Sequence, residues 1–346
     1  MARSCRYGTH RVIEPEGTMP QAAWKIDNNM AVHDNEILIR VQTLNIDAAS
    51  FTQIKKQAEN DEKRIGEIMT GIVADRGKHH NPVTGSGGML IGTVEKIGPE
   101  LIGKTDLQVG DRIATLVSLS LTPLVIDRII KIHADTDQVD IEGHAILFES
   151  GIYAKLPGDM PESLALAVLD VAGAPAQTAK LVRPGDTVLI IGAGGKSGLL
   201  CMYEAKKRAG VTGKVIGMGH SAASKARAES TGFADVVIAG DATRPLEVMK
   251  MVEEVTGGEM ADVTINCVNI PGTEMSSILS TREGGVIYFF SMATSFTAAA
   301  LGAEGVGRDV TMIIGNGYTR GHAEIALETL RESPKLRKIF EELYAR

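Results

Sequence analysis

The chain has 346 residues, a formal net charge of −7 and three cysteines, with 44% hydrophobic but only 4% aromatic residues. That length suits two domains, an acidic balance with no basic stripe argues against nucleic acid as a partner, and no apolar run approaches membrane-spanning length. Cys5, Cys201 and Cys267 lie far apart, which excludes a disulfide framework and a cysteine-rich zinc lobe. With no signal-peptide-like segment at the start, a cytoplasmic location is expected.

The opening Tyr7-Gly8-Thr9-His10-Arg11-Val12-Ile13-Glu14-Pro15 carries no generic motif. Arg11 offers a planar fork that suits either a substrate carboxylate or a surface ion pair. Glu36 to Asn45 partly alternates and reads as a strand running into Ile46-Asp47-Ala48-Ala49-Ser50-Phe51. Gln53 to Arg64 is charged and reads as a solvated helix or loop. His79-His80 invites a metal, but adjacent residues rarely converge on one ion and no third ligand is near. Asn81-Pro82-Val83-Thr84-Gly85-Ser86-Gly87-Gly88 is a glycine-rich turn ahead of a strand over Leu90 to Ile97. Val109-Gly110-Asp111-Arg112-Ile113 feeds another strand through Leu116. Leu156-Pro157-Gly158-Asp159 then closes a small, mostly β domain.

Pro161 to Leu181 is alanine-rich and predicted helical, and Pro184-Gly185-Asp186 launches the apolar strand Thr187 to Ile191. Gly192-Ala193-Gly194-Gly195-Lys196-Ser197-Gly198 follows, and then Leu199, Met202, Tyr203 and Ala209 recur at helical spacing until Gly210. Strand, glycine turn and helix are the context of a dinucleotide fingerprint, whose glycines let the backbone approach a pyrophosphate at a helix N-terminus. Read as G-x-G-x-x-G the third place falls on Ser197, whereas Gly192, Gly195 and Gly198 give G-x-x-G-x-x-G. A nucleoside-triphosphate P-loop needs glycine where Ile190 stands and is rejected. Strands over Val215–Met218, Val236–Ala239, Val263–Val268, Gly285–Phe290 and Val310–Ile314 then alternate with helices over Ser224–Ser230 and Leu246–Val255. Such alternation predicts a parallel, doubly wound sheet. The tail reads as a helix over Glu324–Arg331 and a last one opened by Ser333 and Pro334.

In such a sheet the ligand lies beyond the carboxyl ends of the strands. The expected cofactor contacts are therefore Gly192, Gly194, Gly195, Lys196, Ser197, Gly198, His220, Ser221, Lys225, Asn269 and Ser291. An NAD site usually carries an acid at the end of the second strand, but here Gly219-His220-Ser221 stands there and Lys225 and Arg227 follow. Charge logic thus leans to NADP without excluding NAD.

The β-rich first domain, Val109-Gly110-Asp111-Arg112, Pro184-Gly185-Asp186-Thr187-Val188-Leu189 and the glycine turn together resemble the medium-chain dehydrogenase/reductase superfamily over nearly the whole chain. The resemblance implies an α/β fold, a doubly wound parallel Rossmann sheet behind an N-terminal, mostly-β GroES-like catalytic domain. Its parts fall at residues 1–152, 153–318 and, as C-terminal helices, 319–346. Zinc members place Cys and Gly-His-Glu where this chain has Asp47 and Gly85-Ser86-Gly87, and 170–174 holds no cysteine either. No zinc is therefore expected.

The opening stretch with Leu44-Asn45-Ile46-Asp47-Ala48-Ala49-Ser50-Phe51 is similar to a narrower family, the diamino-acid dehydrogenases of bacterial lysine fermentation. This resemblance implies reversible oxidative deamination of a small diamino acid, and the family is NAD-linked, so the cofactor is written NAD(P). Asp47 is the first choice for amine binding or general base and Asp170 the second, because buried carboxylates suit cationic amines. Arg11 is then the candidate carboxylate clamp, and Thr84 or Ser86 orients water. Superfamily members pair through the edge strand of the nucleotide domain, so Val310 to Ile314 would form a homodimer. Two alternatives remain: an NADPH-dependent zinc-free quinone or enoyl reductase, and a non-catalytic nucleotide sensor.

Overall fold

The computed structural model describes residues 4–85, 87–315 and 317–344. The chain divides into two compact units, Met1–Gly158 and Asp159–Arg346. In the first, β1 (Val12–Glu14) and β2 (Lys25–Ile26) make a small antiparallel ribbon. The strand β3 (Glu36–Asn45) leads into helices α1 (Ala48–Gln57) and α2 (Glu62–Arg76). Then come β4 (Met89–Ile97), β5 (Arg112–Thr115), β6 (Leu124–His133), β7 (Gln138–Phe148) and β8 (Tyr153–Lys155). They join β3 in an antiparallel sheet of order β6-β7-β3-β4-β5-β8.

Period-2 burial explains the central place of β3: Ile37, Ile39 and Val41 are buried, and after a register shift between Val41 and Thr43 the buried position becomes Leu44. Phe51 and Ile54 of α1 and Ile65, Met69 and Val73 of α2 pack into the same core. The charged stretch Gln53–Arg64 is thus two amphipathic helix ends around a turn at Glu59 and Asn60, not a solvated segment throughout. Strands β6 and β7 were not expected. Register shifts between Ile126 and Arg128 and between Ile129 and Lys131 break the alternation that would have marked them. Because β8 pairs with β5, the first unit runs to Gly158, beyond the boundary expected at 152.

The second unit opens with α3 (Glu162–Leu169) and α4 (Gly173–Leu181), two helices where one continuous stretch was expected. Strands β9 (Thr187–Ile191), β10 (Lys214–Gly219), β11 (Val236–Ala239), β12 (Ala261–Asn266), β13 (Thr281–Phe289) and β14 (Thr311–Ile314) follow. They alternate with α5 (Lys196–Ala209), α6 (Ala222–Thr231), α7 (Pro245–Thr256), α8 (Glu274–Leu279) and α9 (Phe296–Val306). All six strands are parallel, in the order β11-β10-β9-β12-β13-β14, so the doubly wound expectation holds. The order reverses between β9 and β12, the place where such sheets bind ligands. Val188 to Ile191 of β9 are fully buried, as a strand covered on both faces requires. Helices α10 (His322–Glu332) and α11 (Pro334–Tyr344) pack on α3 and α4 and so belong to this unit. Ser333 Oγ accepts the Leu336 N–H at 3.2 Å, the cap foreseen for α11. No helix among the described residues is long and apolar enough to cross a membrane.

Candidate active site

In the second unit, β9 ends in a turn that Gly192 makes with φ +88°, a left-handed conformation suited to glycine. The N–H groups of Gly192 and Ala193 both donate to the Met218 carbonyl at 2.9 Å, pinning the turn to β10. A Cβ on Gly194 would run into Ser224 of α6, and one on Gly198 into the Gly192 carbonyl. Gly198, rather than Ser197, therefore performs the close helix–strand packing of the third fingerprint glycine. Gly195 differs: its φ of −86° suits any residue, and an added Cβ would come no nearer than 3.4 Å to the Gly192 oxygen. The protein itself does not demand glycine there. Gly195 instead lines a pocket of about 370 Å³ at the carboxyl ends of the strands, with Gly192, His220, Asp241 and Cys267. No side chain caps α5, whose first N–H groups are free for an anion. These residues fit a dinucleotide.

The sequence places a hydroxyl, the His220 imidazole and cations around a 2′-phosphate, and the structure engages the hydroxyl and the cations locally. Ser221 caps α6 by accepting the Ser224 N–H at 3.1 Å. Lys225 pairs with Glu229 at 3.6 Å, and Arg227 Nη1 donates to the Gly194 carbonyl at 2.8 Å, buttressing the glycine turn. Ser221, Lys225 and Arg227 thus each have a local partner. His220 is exposed at the pocket beside Asp241. Hydrogen bonds from Thr243 hold the Asp241 carboxyl below its ordinary range, and nearby His220 adds to this. Asn269 and Ser291 do come together: Ser291 Oγ donates to Asn269 Oδ1 at 3.2 Å. Lys196 and Ser197 stand on the first turn of α5, and the Lys196 ammonium pairs with Asp170 at 2.9 Å. Asp170 is exposed at the C-terminal end of α3, so it is not the buried carboxylate envisaged as an amine partner.

In the first unit Asp47 caps α1, with Oδ1 accepting the Ser50 N–H at 3.0 Å. Its Oδ2 is buried and meets no hydrogen-bond partner. The Ser50 hydroxyl lies 2.6 Å from that of Thr84, and the Asn81 side chain accepts the Val83 N–H at 2.8 Å, which fixes the loop carrying Thr84. Asp47 and Thr84 are therefore brought together through Ser50, while Ser86 lies outside the described residues.

Arg11 is elsewhere and fully committed. It is 1% exposed, with Nε and Nη2 donating to the two Glu36 carboxylate oxygens, each at 2.6 Å. Its remaining donors reach the carbonyls of Asp27, Asn29 and Ala31. All five guanidinium hydrogens are used, so Arg11 cannot also clamp a substrate carboxylate. His10, His33 and Glu36 cluster at metal-like spacing. Glu36 nevertheless already accepts from Arg11, His10 and the His33 N–H, leaving no lone pair for a cation.

Sequence reasoning weighed His79 only as a metal ligand. It is 0% exposed and lies near Asp47, and neither ring nitrogen has a partner among the described residues. The Gly87 carbonyl and its own carbonyl lie close to the ring without hydrogen-bond geometry. Burial pushes its basicity down to about 4 despite the attraction of Asp47, so the ring is neutral near pH 7. Nothing in the letters marks this, because burial and pairing belong to the tertiary fold.

A parallel sheet with this glycine turn and an antiparallel first unit define a medium-chain dehydrogenase/reductase. Residues 197–304 match the family described as zinc-binding dehydrogenase, and residues 10–157 match the L-erythro-3,5-diaminohexanoate dehydrogenase N-terminal domain. The chain is 64% identical over 342 residues, 99% of each protein, to an L-erythro-3,5-diaminohexanoate dehydrogenase of Acetoanaerobium sticklandii. It is 62% identical over 344 residues, 99% of this chain and 100% of the relative, to the Fusobacterium nucleatum protein of that name. A mycobacterial structure solved with NADPH shares the fold, at a TM-score of 0.55 and 18% identity over 94% of this chain and 87% of that one. The chain belongs to the L-erythro-3,5-diaminohexanoate dehydrogenase family.

Proposed function

We propose that the chain oxidatively deaminates L-erythro-3,5-diaminohexanoate with NAD(P), releasing 5-amino-3-oxohexanoate, ammonia and reduced nicotinamide. The observation that carries this is Asp47 Oδ2, a buried carboxylate oxygen with no partner among the described residues, in a chain so close to named relatives. An anion kept unpaired out of solvent suits a cationic amine. The bound nicotinamide would accept a hydride from the amine-bearing carbon. Asp47 first takes a proton from the reacting ammonium, so that the nitrogen lone pair can drive hydride departure. Because Oδ1 stays tied to the Ser50 amide, Oδ2 is the working oxygen. The paired Ser50 and Thr84 hydroxyls orient the water that converts the iminium to ketone and ammonia.

NAD is the preferred nucleotide in this proposal. The cations expected around a 2′-phosphate are engaged elsewhere, and Asp241 adds negative charge at the pocket. No zinc takes part, since Asp47 and Gly85-Ser86-Gly87 occupy the family's ligand places. Three free cysteines, with Cys201 and Cys267 Sγ 3.9 Å apart and unbonded, favour the reducing cytoplasm. The edge strand β14, with Ile314 exposed, is the proposed seam of a homodimer. Sedimentation showing only monomer at micromolar concentration would remove that seam. For the reaction, appearance of reduced nicotinamide and ammonia from L-erythro-3,5-diaminohexanoate at alkaline pH is the expected result. Silence there, with NADPH oxidation by a quinone or enone, would replace it with the reductase alternative.

A further inference from the structure

A buried imidazole with both nitrogens unpaired is costly. Leaving a buried polar group unsatisfied destabilises the fold, and a leucine of similar volume would avoid the loss. His79 carries that cost at one particular place. A Cβ on Gly87 would come within 2.7 Å of the His79 carbonyl, and one on Gly88 within 2.9 Å of the Asp47 amide nitrogen. Two consecutive glycines thus let the His79 and Asp47 backbones lie against neighbouring residues of one short segment. Both side chains end in buried atoms with no partner among the described residues, the two ring nitrogens and Oδ2. Asp47 Oδ1 accepts the Ser50 N–H of the α1 cap, and Oδ2 is the oxygen that accepts nothing among the described residues.

Other charged groups near the pair point elsewhere. Lys78 Nζ donates to the Pro20 and Gln21 carbonyls, and Arg76 to those of Trp24 and His80. Asp47 and His80 are the titratable groups that act on His79 itself.

We propose that His79 is the positioning residue of this site, donating a ring N–H to Asp47 Oδ2 when substrate is bound and so keeping the carboxylate ionised to act as base. The described residues show no such hydrogen bond, and catalytic hydrogen bonds often tighten only once the reactants assemble. The ring acts through Asp47, not on the substrate itself. No proton leaves the imidazole: the substrate ammonium gives its proton to Asp47, and His79 stays neutral throughout. Removing the donor therefore raises the carboxyl's basicity, and the acid limb of the rate profile moves with it.

The test uses the full-length enzyme and His79→Leu and His79→Gln variants. The kcat/KM for diaminohexanoate is followed against pH, with thermal melting and reduced-nicotinamide binding as controls. His79→Leu should melt no lower than wild type and bind nicotinamide unchanged. Its acid limb should move up, with the loss of rate confined to the pH range of that limb. His79→Gln, which retains an N–H donor, should bring the limb back. A limb that stays in place in His79→Leu overturns the proposal. Because the role rests on the deamination proposed above, a second readout needs no turnover. In protein labelled with nitrogen-15 histidine and saturated with reduced nicotinamide and diaminohexanoate, a complex that cannot turn over, His79 should remain neutral from about pH 5 to 9, and its ring signals should differ between wild type and Asp47→Asn. If wild type leaves diaminohexanoate untouched, the deamination reading falls while this spectrum still decides the pairing. Ring signals unmoved by Asp47→Asn refute it.

Discussion

Replacing Arg11 by methionine separates a structural arginine from a substrate clamp. The Glu36 carboxylate has a side chain 1% exposed. Burial pushes its acidity one way, but hydrogen bonds from Arg11, His10 and the His33 amide outweigh it and hold the carboxyl at about 2, against an ordinary 4.5. That difference corresponds to roughly 3 kcal/mol of folding stability. The cost of orphaning one member of a buried pair, about 3–5 kcal/mol, is of the same size. The sign is definite. A carboxyl held low in the fold stabilises above its unfolded value, and the contribution fades as pH falls from 4.5 towards 2. Without Arg11, burial dominates and Glu36 prefers to be protonated. Arg11→Met should then become more stable on acidification from pH 7 to about 5, a range over which the wild-type Glu36 contribution stays constant. Trp24, the single tryptophan, lies in the first unit with the Arg76 guanidinium 4.2 Å from its ring centre, so its fluorescence reports unfolding of this unit. Denaturant titration at the two pH values gives the comparison. A variant within about 1 kcal/mol of wild type at pH 7, with a KM for the diamino acid raised more than about tenfold, would refute the structural assignment and restore the clamp.

Three further outcomes are expected. Asp47→Asn should leave melting nearly unchanged, since asparagine caps helices as well as aspartate, and should lower kcat by about 10²–10⁴; calorimetry and turnover measure the two. Gly198→Ala drives a methyl into the Gly192 carbonyl, so nicotinamide binding measured by fluorescence should weaken by about tenfold or more. Lys225→Ala should change the ratio of NAD to NADP rates by less than about threefold, because Lys225 already pairs with Glu229.

The second unit was the more legible half. Its strands are short, apolar and separated by glycine turns, and β11 was read to the residue because nothing interrupts it. In the first unit β3 was equally clear, but β6 and β7 carry bulges that defeat simple alternation. Asp47 was found from its place in a resemblance, and the cap that occupies half of it only from geometry. Arg11 shows the opposite limit. Its chemistry suited a clamp, but the residue that consumes it, Glu36, is distant in sequence and is brought near only by the fold. His79 was passed over because a histidine is interpretable only with its burial and partners known.

The most direct test of the central claim uses diaminohexanoate deuterated at the carbon bearing the 3-amino group. The predicted result is one deuterium in the reduced nicotinamide for each ammonia released, with 5-amino-3-oxohexanoate as the organic product. Reduced nicotinamide without deuterium, or no ammonia, would contradict hydride transfer from that carbon and with it the proposed reaction.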